Sequence, residues 1–169
     1  LIKKLGILLA AILIITLLWF SGLEVIHARA LVAATNTVLD LGGRETQLSV
    51  EAQDNVYLFK VRTTIEGRSG SYPQTFGPLL LPTVMVIAWQ IFMVFFLKRK
   101  QWLLSSLLNL ACFFAVQVIF LLLLSAYYAS AAARYVYDMM LDSFYIIALL
   151  IILLDNIRHP VFLSHLKLK

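Results

Sequence analysis

The stretch Leu103–Ala126, LLSSLLNLACFFAVQVIFLLLLSA, carries no charged residue. A bilayer core about 30 Å thick takes roughly 20 helical residues to cross, so this run reads as a membrane-spanning helix. Three further apolar runs accompany it: Leu5–Phe20, Leu79–Leu97 and the shorter Met139–Leu154. A modest shortfall in length is tolerated by the bilayer. The expected fold is an all-α membrane protein with four transmembrane helices. Hydrophobic residues make up 62% of the 169 positions and the mean hydropathy is +0.90, outside the range of soluble domains.

The net charge of +5 is sorted by position. Lys3, Lys4, Lys98, Arg99, Lys100, Arg158, Lys167 and Lys169 gather at one set of helix ends. Glu24, Asp40, Glu45, Glu51, Asp54, Glu66, Asp138 and Asp142 gather at the other, with Asp155 alone on the basic side. Cations held in short cytoplasmic loops set orientation, so both termini and the 98–102 turn are expected in the cytoplasm. The basic balance then points to the lipid bilayer and not to nucleic acid. The expected division is 1–22 first helix, 23–78 extracytoplasmic cap, 79–97 second helix, 98–102 cytoplasmic turn, 103–126 third helix, 127–138 outer loop, 139–156 fourth helix and 157–169 cytoplasmic tail. Lys3-Lys4 before an apolar run, with Ala28-Arg29-Ala30 further on, also has the outline of a signal peptide; the run is read as a retained first helix.

Within the cap, Leu23, Ile26, Ala30, Ala34, Val38 and Leu41 recur at helical spacing, with Glu24, Arg29, Asn36 and Asp40 largely off that face. This predicts an amphipathic helix stopped by Gly42-Gly43. Leu48 and Val50 alternate with Gln47, Ser49 and Glu51, then Tyr57, Phe59, Val61 and Ile65 with Lys60, Arg62 and Thr64, around a polar turn at 52–55. Two alternating runs around a turn predict a β-hairpin, so the cap is a small α+β unit. Residues 67–78, rich in glycine and proline, are expected to be loop.

Few residues carry chemistry. The polar side chains expected inside the membrane are Thr16, Gln90, Ser105, Ser106, Asn109 and Gln117, none of them charged. Pumps and ion-coupled carriers keep ionisable groups there, so that class is disfavoured. Gln90, Asn109 and Gln117 read as interhelical hydrogen-bonding residues, and with Tyr57, Phe59, Lys60 and Arg62 of the hairpin they form the expected partner-binding set. Ser125, Ala129 and Ala133 add small residues at four-residue spacing. No catalytic, cofactor-binding or metal-binding residues are expected. His27 falls outside while His159 and His165 fall inside, Ser105-Ser106 lacks a base, and Cys112 has no histidine at its depth. Cys112 is expected to be a buried small hydrophobe and, as the single cysteine, makes no intramolecular disulfide.

The order of segments Leu31–Leu41, Gln47–Ile65, Phe76–Pro82 (FGPLLLP) and Lys98-Arg99-Lys100 resembles the small membrane proteins encoded beside exosortases, of the exosortase H-associated type. The resemblance implies an accessory protein of the bacterial inner (plasma) membrane, without the cysteine, arginine and histidine centre of exosortases themselves. The function expected is that of a non-catalytic accessory or assembly subunit docking onto other integral membrane subunits through helix faces and the hairpin. The alternative is a small transporter or channel component whose path forms on oligomerisation. That alternative requires Gln90, Asn109 and Gln117 to line a wet cavity, whereas the accessory reading requires them buried and dry. An enzyme working around Tyr72–Phe76 is a third, weaker option.

Overall fold

The computed structural model of the chain describes residues 2–53, 56–65, 68–141 and 143–162. Helix α1 (Ile2–Leu18) runs through a π-type turn (Trp19–Leu23) into helix α2 (Glu24–Leu41). The break falls at Gly22, whose φ of 125° is open to glycine and strained for any L side chain. Trp19, fully buried in that turn, anchors the junction. Gly43, at φ 63°, ends α2 in the left-handed conformation common at helix C-termini, with the Arg44 amide bonded back to the Leu39 carbonyl.

Three strands follow, β1 (Gln47–Gln53), β2 (Val56–Ile65) and β3 (Arg68–Thr75), forming an antiparallel sheet in the order β1-β2-β3. The hairpin expected from alternation is present, with Leu48 opposite Val61 and Val50 opposite Phe59. The strand at 68–75 replaces the expected loop. It pairs Tyr72 with Val61 and Pro73 with Lys60. Proline lacks an amide and is tolerated in a sheet at an edge, the position β3 occupies. The expected turn residues Asp54 and Asn55 lie outside the described residues.

Helices α3 (Gly77–Met93), α4 (Arg99–Ser125), α5 (Ala131–Leu141) and α6 (Phe144–Arg158) complete the chain. Two helical stretches, Ile2–Leu41 and Arg99–Ser125, are long and apolar enough to cross a bilayer, or three if the α5–α6 pair, bent by 60°, counts as one span. The four expected spans are therefore present only in part. Helix α3 has 17 residues and is about 25 Å long at 1.5 Å per residue. It ends at Met93 and not at Leu97, because 94–97 turn back toward α4. Lys98 precedes α4 in extended conformation and Arg99 opens it, so the basic residues belong largely to the first turn of α4. The expected outer loop at 127–138 contains most of α5.

Helix α3 packs between α1 and α6, and α4 lies against α2, α3, α5 and α6. Phe113, Phe120 and Phe144 fill the core, Phe120 meeting Phe144 edge-on at 4.8 Å and stacking on Tyr137 at 4.3 Å. The exterior is apolar: Leu13, Leu104, Leu107, Ile146 and Leu153 are all more than half exposed. An apolar surface around a core that contains polar side chains suits lipid rather than water.

Two expectations about faces are overturned. Helix α2 buries Ala28, Leu31, Val32, Thr35 and Leu39, while the expected face is turned out, Ile26 at 65% and Leu41 at 85% exposure. The helix is apolar on both sides, and Thr35 joins the buried side because its hydroxyl donates to the Leu31 carbonyl at 2.8 Å. Cys112 is exposed, since Phe113, one position on and about 100° around the helix, takes the inward place. A membrane-permeant maleimide should therefore label Cys112 in native membranes, and a charged maleimide should label it only after detergent is added. Protection from both reagents in detergent would contradict this placement.

Candidate functional site

Polar side chains at the junction of α3, α4 and α6 converge on one carboxylate. Asp155 lies on the same face of α6 as Phe144, Ala148 and Ile151 and is 1% exposed. Its Oδ2 accepts from Trp89 Nε1 at 2.7 Å and from Gln90 Nε2 at 3.4 Å. Its Oδ1 accepts from the Ser105 hydroxyl, and Asn109 Nδ2 donates to Ser105 Oγ at 3.3 Å. The Ser106 hydroxyl donates to Gln90 Oε1 at 3.0 Å, and Trp102 Nε1 donates to the Gln90 carbonyl at 2.7 Å. Trp89, Gln90 and Ser105, which donate to the carboxylate, are all neutral. Such a carboxylate is costly to bury unless donors replace water around it. Here it ties three helices together through those donors.

This corrects the expectation that Asp155 merely marks the basic end of the last helix, and that no ionisable group lies inside the bundle. Helix α6 continues to Arg158. The helical spacing of Phe144, Ala148, Ile151 and Asp155 is the signal that places the carboxylate inward.

A second polar contact joins α2, α3 and α4. Gln117, fully buried, donates through Nε2 to the Leu79 carbonyl at 2.8 Å and to Thr83 Oγ1 at 3.0 Å. Its Oε1 faces His27 Nε2 at 3.0 Å. His27 also packs on Trp19 and edge-on to Phe114. The histidine expected at the outer surface thus lies against the bundle.

The expected partner-binding residues separate into two groups. Gln90, Asn109, Gln117 and Phe59 are buried inside the chain, and Phe59 packs on Phe76 at 4.5 Å. Tyr57 is exposed and stacks on Phe76. Lys60 and Arg62 stand on the outer face of the sheet, paired with Glu51 at 2.8 and 2.6 Å. They border a pocket of about 320 Å³ with Glu45, Gln47 and Ser71. Ser105 meets a carboxylate without a histidine, which is not a nucleophile–base arrangement. In the Tyr72–Phe76 segment the Tyr72 hydroxyl donates to the Leu124 carbonyl. Burial and the neighbouring Tyr128 and Tyr127 hold its pKa above the ordinary 10, which keeps it a neutral donor. His165 lies outside the described residues.

Hydrogen bonds from Lys60 and Ser49 and the charge of Arg62 hold the Glu51 carboxyl below its ordinary 4.5. A depressed folded-state pKa contributes stability that is present above 4.5 and lost as pH falls through the lower value. The sheet should accordingly loosen in that acid range, and Glu51→Gln should remove the dependence. Proteolysis of the chain as a function of pH checks this, and identical acid profiles for the two proteins would contradict it.

The sheet is poorly suited to accepting a foreign strand. On the β1 side, Asn36 of α2 clamps Leu48, with Nδ2 donating to its carbonyl and Oδ1 accepting from its amide, both at 2.9 Å. On the β3 side, Pro73 removes a donor. Compared with known proteins, the chain matches no family model, no curated protein and no solved structure.

Proposed function

We propose that the chain is a non-catalytic accessory or assembly subunit of a larger integral membrane complex, docking through its apolar helix faces and the outer face of its sheet. One observation carries the reading. Gln90, Asn109 and Gln117 are buried and make their hydrogen bonds within the chain, as a packed scaffold requires. The exposed Lys60 and Arg62 of that outer face are then the residues that meet a partner, with Tyr57, half-exposed on the opposite face, at the margin of the contact. Strand addition is disfavoured by Asn36 and Pro73, so the contact is made by the sheet's face.

The reading includes a bacterial inner membrane with both termini cytoplasmic. Its support is the gathering of cations at one end: Lys4 donates to the Val161 carbonyl at 2.5 Å and borders one pocket with Arg158 and His159. The resemblance to exosortase-associated proteins belongs to the same reading.

A small transporter or channel component with a path formed on oligomerisation is the second reading. Asp155 favours it, because a carboxylate among apolar helices is a frequent mark of ion handling. Purifying a tagged chain in mild detergent, followed by native mass measurement, separates the two. One stoichiometric foreign subunit, lost on Lys60→Glu with Arg62→Glu, supports the accessory role. A discrete homo-oligomer without a partner overturns it and favours transport.

A further inference from the structure

Where β3 meets the ends of α4 and α5, the chain holds a pocket of about 270 Å³ walled by Tyr72, Tyr127, Tyr128 and Tyr137, with Gln74 and Asp138 also lining it. The rings brace one another edge to face, Tyr72 on Tyr128 at 4.6 Å, Tyr127 on Tyr128 at 5.1 Å and Tyr127 on Tyr137 at 5.3 Å. Tyr137 stands apart in its hydrogen bonding. It is 3% exposed, yet its hydroxyl has no partner among the described residues. Buried hydroxyls are normally satisfied. Asp138, the next residue, is exposed and forms no ion pair among the described residues. Arg134, one helical turn earlier, lies over Tyr127 and Tyr128 at 5.2 and 5.8 Å.

We propose that this pocket binds the headgroup of a phospholipid carrying a primary ammonium. The three N–H donors of such a group match the Asp138 carboxylate and the unpartnered Tyr137 oxygen. Tyrosine rings attract a cation to their faces. Arg134 supplies a positive group beside the same rings for the phosphate that follows the ammonium. Leu124 and Leu141 add apolar lining where α4 ends, the place for the start of an acyl chain. A purely anionic headgroup would set its phosphate against Asp138 with no ammonium between them. A quaternary ammonium has no N–H for Tyr137.

The test uses the full chain in detergent with equal amounts of phosphatidylethanolamine, phosphatidylglycerol and phosphatidylcholine of the same acyl chains, counting retained lipid by native mass spectrometry. Phosphatidylethanolamine should be retained at least about tenfold over the others, the factor a charge-assisted hydrogen bond supplies. Asp138→Asn and Tyr137→Phe should each reduce that preference by about tenfold. Tyr137→Phe should fold at least as well as the parent by circular dichroism and melting, because the hydroxyl it loses has no partner among the described residues. Equal retention of the three lipids, or a preference that survives both substitutions, would overturn the proposal. O-phosphoethanolamine binding as tightly as the lipid would make the ligand a soluble amine and overturn the lipid assignment.

Discussion

Replacing Asp155 with leucine is expected to cost about 3 kcal/mol of stability, because it strands buried donors instead of removing a bond cleanly. Trp89 Nε1, Gln90 Nε2 and the Ser105 hydroxyl all point at this carboxylate, and the apolar surroundings offer them no water. Asp155→Asn retains one acceptor oxygen of the same shape and should cost about 1 kcal/mol, the worth of an ordinary hydrogen bond. The order leucine worse than asparagine distinguishes loss of acceptors from loss of charge. Thermal melting of the detergent-solubilised chain, followed by tryptophan fluorescence, reads both, since Trp89 and Trp102 lie in the cluster. A leucine variant as stable as the parent would show that the cluster does not hold α3, α4 and α6 together.

The second large effect is expected at Phe59. Truncation to alanine removes a fully buried ring from between the sheet and Phe76 and should cost about 3–5 kcal/mol. The loss is local in kind: the sheet should become sensitive to protease while the α3–α4–α6 bundle keeps its melting transition. Tyr57→Ala, half-exposed on the same face and stacked on Phe76, should cost much less than Phe59→Ala. A Phe59→Ala chain whose sheet resists protease as well as the parent would contradict the packing.

Much of the architecture could be read from residue patterns, and the failures have identifiable causes. The uncharged 103–126 run and the alternation in 47–65 name their elements, because a helix in lipid and a half-buried strand each demand one strict pattern. Strand β3 escapes that logic. An edge strand asks little of its side chains once Tyr72 points inward, so Gly70, Ser71 and Pro73 read as loop. Helix α2 carries apolar residues all round, and spacing alone does not choose between the face holding Leu31 and Leu39 and the one holding Ile26 and Leu41. The inward place of Asp155 is hidden in the sequence for a different reason. Next to Asn156, Arg158 and Pro160 it looks like a helix terminus, and its donors come from positions 50 and more residues earlier in the chain. Gln90 and Gln117 bond across helices of this chain, whereas Asn109 donates to Ser105 one turn earlier on its own helix.

The contact between His27 and Gln117 spans 90 positions of sequence, and that separation has a consequence for biosynthesis. At translation rates of about 5–20 residues per second, roughly 5–20 s pass between the appearance of one residue and the other. During that interval α2 has emerged without α4, one of the elements it packs against. The growing chain must wait at the membrane with that side open, so the insertion machinery, or the finished subunit's eventual neighbour, meets α2 before α4 does.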